Sequence, residues 1–130
     1  MKRFLCALLV LFLLTGCGGT GADQTSQATY QQITQEAAKE MMDAQEVVIL
    51  DVREQHEYDT GHIADAVLLP VGTITEDTAA VMIGDMDTVV LVYCRSGNRS
   101  KTASQALADL GYTNVYEFGG INDWPYEVES

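Results

Sequence analysis

The residues of this chain able to do chemistry are concentrated in one stretch, Tyr93-Cys94-Arg95-Ser96-Gly97-Asn98-Arg99-Ser100-Lys101. A thiol leads it, and Arg95, Arg99 and Lys101 place three cations within seven positions of that thiol. Gly97 and Asn98 tolerate unusual backbone angles, so the loop can turn several N–H groups inward as a nest for an anion. A helix starting just beyond it adds the positive end of its dipole. Sulfur held in such surroundings is biased toward thiolate, the nucleophilic form. The expected chemistry is therefore nucleophilic, with Cys94 as the attacking atom and the N–H groups from about Arg95 to Ser100 receiving negative charge. An inert buried thiol is the alternative for any lone cysteine. A basic, glycine-containing loop is not what packing requires.

Such a loop needs a strand to end it on and a helix to begin from. Thr88-Val89-Val90-Leu91-Val92 is an uninterrupted apolar run, the pattern of a strand covered on both sides. Ala103, Ala106, Leu107 and Leu110 recur at helical spacing, which predicts a helix over 99–110 stopped by Gly111. Val47-Val48-Ile49-Leu50 reads as a second buried strand, closed by Asp51-Val52-Arg53. Around these lie a first strand near 30–33, a helix capped by Thr34 and running to about Asp43, and a polar helical turn over 54–59. A strand over 66–69 stopped by Pro70, a short helix over 75–83 and a last strand over 114–118 turned by Gly119-Gly120 complete the layout. Strands alternating with helices imply an α/β fold with a mostly parallel sheet, in which ligands bind beyond the carboxyl ends of the strands. Asp51 and Cys94 both follow a strand directly and so share that edge. Asp51 and Arg53 are read as an ion pair supporting the site.

The start of the chain reads differently. Lys2 and Arg3 precede eleven apolar residues, Phe4 to Leu14, too few to span a bilayer comfortably. The tetrad Leu14-Thr15-Gly16-Cys17 that follows resembles the lipobox of bacterial lipoprotein signal peptides. That resemblance implies a signal over 1–16 and a lipid-modified Cys17 that anchors the chain to the extracytoplasmic face of a bacterial cell membrane. Residues 17–29 carry no large apolar side chain beyond the cysteine and read as a flexible linker, and 30–130 as one domain.

With Cys6 leaving in the signal and Cys17 lipidated, Cys94 is the only thiol of the domain. A domain disulfide, a C-x-x-C exchange pair and a multi-cysteine zinc site are thereby excluded. Losing Lys2 and Arg3 leaves five of the seven basic residues against nineteen acids, a net charge of about −14. A surface of that sign repels nucleic acid, which is excluded as a partner. Three of the five remaining cations stand in the Cys94 loop, a local positive spot suited to a small anion.

Over about 30–128 the chain resembles the rhodanese-like domain, through Asp51-Val52-Arg53, Glu57-Tyr58, Gly61-His62-Ile63, the whole 93–100 loop, Leu110-Gly111-Tyr112, Gly119-Gly120-Ile121 and Trp124-Pro125. The family usually has a glycine at the position of Asp65, a departure expected to alter a turn and leave the thiol untouched. The resemblance implies a parallel sheet of about five strands flanked by helices, and a sulfurtransferase. Cys94 would take sulfane sulfur from thiosulfate or a similar small anionic donor, hold it as a persulfide, and pass it to a thiol, protein or cyanide acceptor. Arg95 and Arg99 are expected to attract the oxyanion, with pairing to Asp51 as the alternative for Arg99, and Ser100 to donate a hydrogen bond to sulfur. No metal or organic cofactor is called for. Four residues separate Cys94 from Arg99, whereas phosphatases and arsenate reductases of related architecture resemble a wider C-x5-R loop. His62 is read as fixing a loop and His56 as solvated surface, which leaves no Cys–His peptidase. A non-catalytic binding module is the other alternative, though such domains commonly lack the cysteine present here.

Overall fold

The computed structural model describes residues 28–130; the predicted signal, Cys17 and most of the linker lie outside the described residues. Strand β1 (Gln31–Gln32) leads into helix α1 (Gln35–Ala44), whose first turn is capped by Thr34 Oγ1 accepting the Ala37 N–H at 3.0 Å. Then follow β2 (Val48–Asp51), α2 (Gln55–Thr60), β3 (His62–Ile63) and β4 (Val67–Leu68). A 3-10 turn at Val71–Thr73 precedes α3 (Glu76–Met82). Thr75 and Thr78 open α3 with reciprocal bonds, each hydroxyl accepting the other's N–H, at 3.1 and 2.8 Å. Strand β5 (Val89–Cys94) runs into α4 (Asn98–Asp109), then β6 (Asn114–Gly120), a 3-10 turn at Ile121–Asp123 and β7 (Val128–Glu129).

Five strands form one parallel sheet in the order β1-β6-β5-β2-β4. Helices cover both faces, so the central strands are apolar throughout, as the runs at 47–50 and 88–92 imply. Alternation along β5 sends Val90, Val92 and Cys94 into the cluster with Ala103 and Leu107 of α4, and Leu91 and Tyr93 into the cluster with Ala38 of α1, Phe118 and Trp124. The thiol thus shares a face with α4, the helix that follows it.

The structure corrects the expected layout in three places. Helix α4 begins at Asn98, one residue early, because Gly97 takes the left-handed angle (φ 103°) that turns the chain into it. Strand β6 does not turn at Gly119 but continues to Gly120, which pairs with Cys94 across an irregular register. Residues 62–63 and 128–129 form a second, antiparallel sheet of β3 and β7, which strap the chain's end over the domain. Asp65, where the family usually has glycine, sits at φ 69°, and its N–H donates to Glu129 Oε1 at 3.1 Å. The turn keeps the left-handed angle with a side chain that tolerates it.

Candidate active site

Cys94 is the last residue of β5 and is 1 % exposed. Its Sγ accepts the Gly97 N–H at 3.0 Å, the only backbone N–H hydrogen-bonded to the sulfur among the described residues. Asn98, Arg99 and Ser100 form the first turn of α4, where N–H groups have no partner within the helix. The sulfur therefore lies at the positive end of a twelve-residue helix. Arg95, Ser96 and Asn98 are exposed, Arg99 is half-buried, and Gly97 and Ser100 are buried. The loop is pinned from behind, with the Arg95 carbonyl accepting the Asn122 N–H at 3.1 Å. Gly120 lies so close beneath that carbonyl that any Cβ there would collide with it.

The two arginines of the loop have different duties. Arg99 forms a bidentate pair with Glu57 of α2, at 2.7 and 2.9 Å, and does not reach Asp51. Those bonds hold the Glu57 carboxyl at about 2, well below its usual range. Arg95 has no ion-pair partner among the described residues and lines an open cleft of about 590 Å³ whose walls include His56, Ile121 and Tyr126.

Asp51 pairs with Arg53, as read from the sequence. The guanidinium donates to both carboxylate oxygens at 2.7–3.1 Å and to the Gly61 carbonyl at 2.8 Å. Tyr93 joins them, its hydroxyl donating to Asp51 Oδ2 at 2.6 Å and accepting the Ile63 N–H at 3.0 Å. Burial, then the adjacent Asp51 carboxylate, push the Tyr93 phenol far up, so it acts as a fixed neutral donor. This group clamps the ends of β2 and β5 to the 61–63 segment, beside the thiol but on the opposite face of β5. His62 stacks on Tyr58 with ring centres 3.8 Å apart and donates through Nδ1 to the Tyr58 carbonyl at 3.1 Å. Its Nε2 lies 3.4 Å from Glu129 of β7, so it holds the strap and not the thiol.

One residue of the site was missed from the sequence. Glu117 of β6 is 3 % exposed, and its Oε2 accepts the Ser100 hydroxyl at 2.7 Å and the Gly119 N–H at 2.6 Å. Ser100 Oγ lies 3.4 Å from Cys94 Sγ, with the thiol as donor. With sulfur as the thiol, Ser100 therefore spends its single hydrogen on Glu117 and accepts from sulfur, whereas the expected bond runs from Ser100 to a thiolate. The signal was alternation: Val115 and Glu117 are two apart in a strand whose Val115 packs in the Cys94 cluster.

The one thiol among the described residues, at the carboxyl edge of a five-stranded parallel sheet and the start of the next helix, defines the class: an α/β protein with a cysteine loop between strand and helix. Residues 34–126 match the rhodanese-like domain, and the chain belongs to that family. It is 35% identical over 96 residues to the thiosulfate sulfurtransferase GlpE of Coxiella burnetii, covering 73% of this chain and 87% of that protein. It is also 33% identical over 88 residues to the tRNA uridine(34) hydroxylase of Erwinia tasmaniensis, covering 65% of this chain but only 25% of that protein. Among solved structures, a rhodanese with anions from E. coli superposes with a TM-score of 0.61 at 28% identity, covering 65% of this chain and 99% of that one.

Proposed function

We propose that this chain is a rhodanese-type sulfurtransferase that carries sulfane sulfur on Cys94. The observation that carries the reading is the position of Sγ, bonded to the Gly97 N–H at the start of α4. Cys94 sulfur, as thiolate, attacks the outer sulfur of thiosulfate. The S–S bond of the donor breaks and sulfite leaves with its electron pair. The new persulfide carries its negative charge on the terminal sulfur, where the Gly97 N–H and the helix dipole stabilise it. A thiol or cyanide then attacks that terminal sulfur and releases Cys94. Arg95, exposed beside the thiol loop, meets the incoming anion, while Arg99 is held by Glu57 and stiffens the loop. Likeness to a named thiosulfate sulfurtransferase over most of that protein's length supports this substrate class. The short spacing from Cys94 to Arg99, with Arg99 already paired, argues against phosphate chemistry.

The order of Lys2-Arg3, the apolar run and Leu14-Thr15-Gly16-Cys17 supports anchoring through a lipidated Cys17 on the extracytoplasmic face of a bacterial membrane.

Intact mass after incubation with thiosulfate tests the chemistry. The chain should gain one sulfur, lose it to cyanide with thiocyanate formed, and gain none as Cys94→Ser. A free, alkylatable thiol that takes no sulfur from thiosulfate, polysulfide or a persulfide would overturn the reading in favour of a binding module.

A further inference from the structure

Cys94, Ser100 and Glu117 form a continuous, almost wholly buried hydrogen-bond chain. They are 1 %, 0 % and 3 % exposed, and the links are 3.4 Å from Sγ to Oγ and 2.7 Å from Oγ to Oε2. Each comes from a different element: β5, α4 and β6. Because Ser100 directs its hydrogen at Glu117, it offers sulfur only lone pairs, and the link to Cys94 is a bond in which the thiol donates.

Glu117 is costly to bury. Among the described residues no Lys, Arg or His is paired with it, and Arg99, next to Ser100 on α4, is turned away to Glu57 of α2. Its remaining partners are neutral: the Gly119 N–H on its own strand at 2.6 Å and Gln32 Nε2 from β1 at 3.3 Å. Through Ser100, Cys94 is the only other titratable group linked to it among the described residues. A glutamine would satisfy the same turn and hydroxyl without burying a charge that lacks a cation. A carboxylate at this place is one hydroxyl away from the atom that must lose a proton.

We infer that Glu117 is a positioning residue that receives the Cys94 proton through Ser100. The S–H bond breaks as its proton joins Ser100 Oγ, and the hydroxyl's own proton passes to Glu117 Oε2. The single negative charge moves from carboxylate to sulfur, into reach of the Gly97 N–H and the start of α4. Persulfide formation then leaves Glu117 protonated and the charge on the terminal sulfur. This step rests on the sulfurtransferase reading for its reaction, but its proton transfer is measurable without a sulfur donor.

The experiment compares the full chain with Glu117→Gln and Ser100→Ala, reading the rate of Cys94 alkylation by iodoacetamide against pH. In the native chain the rate should change little with pH around neutrality, because the proton stays within the pair. Both variants should alkylate at least about tenfold more slowly at neutral pH and quicken about tenfold per pH unit, since the proton must now go to solvent. If Glu117 is only a fixed negative neighbour, Glu117→Gln will react faster than the native chain. If it only braces the turn, thermal midpoints will fall while the pH profile keeps its shape. Either result overturns the inference. Should both variants fail to fold, infrared difference spectra of the native chain decide. Thiosulfate should raise the carbonyl stretch of a protonated carboxylic acid as the persulfide forms, and persulfide without that band sinks the relay. A native chain with the alkylation plateau but no gain of sulfur would discard the sulfurtransferase reading and leave the relay standing.

Discussion

Glu57 and Arg99 show how two side chains stabilise the loop without touching sulfur. The Glu57 carboxyl also accepts the Glu54 N–H at 2.9 Å, so one residue both opens α2 and holds the first turn of α4. Hydrogen bonds from Arg99 depress it to about 2 from an ordinary 4.5. A folded value below the unfolded one means the pair contributes fully above about pH 4.5 and loses that contribution as the pH falls toward about 2. With Arg99 about a third exposed, solvent screening limits the contribution to about 1 kcal/mol. Urea midpoints measured down through that window should fall in the native chain, and Glu57→Gln should flatten the slope. An equal slope in both would remove Glu57 as its source. Asp51, Arg53 and Tyr93 do the corresponding work on the other face of β5 through a buried cluster that does not depend on solvent.

Strand β5, its loop and α4 are one device, and β6 is the base it stands on. Leu91, Val90, Val92 and Tyr93 are fully buried, each contributing about 1.5–3 kcal/mol, so the strand that carries the thiol is also the strand that cannot shift. The loop above it is placed by close approach: Gly120 passes under the Arg95 carbonyl where no Cβ fits. Gly120→Ala should therefore displace Arg95 and Ser96, destabilise the domain by about 1–3 kcal/mol and reduce persulfide formation together. Urea unfolding beside the thiosulfate mass assay checks this. Native stability with native sulfur loading would show that the loop relaxes freely. Much of this device is legible in the chain, because Val89 to Ser100 is contiguous and its apolar run, glycine and basic residues each act locally. Gly120 was read as part of a turn, since only its pairing with Cys94 reveals what lies above it.

The whole domain is an acidic body with one basic edge. Of the nineteen acids none is placed on the Cys94 loop itself, while Arg95, Arg99 and Lys101 all are. Such a charge distribution disfavours nucleic acid and acidic lipid headgroups and suits the small anionic donor proposed above. An acidic surface gives no electrostatic hold on an anionic membrane, so the anchoring proposed above rests on lipid at Cys17 alone. Cys17→Ser should therefore move the protein from the membrane fraction to the soluble fraction and abolish palmitate incorporation, with sulfur loading of Cys94 unchanged. Retention on the membrane would refute the anchor.

The α/β class, the parallel sheet, the strand-loop-helix at Cys94 and the Asp51–Arg53 pair were all legible in the chain. Periodicity, capping and turn chemistry act between near neighbours, and the last pair is two residues apart. Residues that meet across long separations were not. Ser100 finds Glu117 17 positions away, Arg99 finds Glu57 at 42, and Asp65 finds Glu129 at 64. One acid among nineteen carries no mark of its partner. Packing β6 against β5 and α4 is what sets Glu117 behind Ser100 and so directs the Ser100 hydrogen away from the thiol. Strand β7 is equally silent as a sequence, because a two-residue strand exists only where β3 already waits to pair with it.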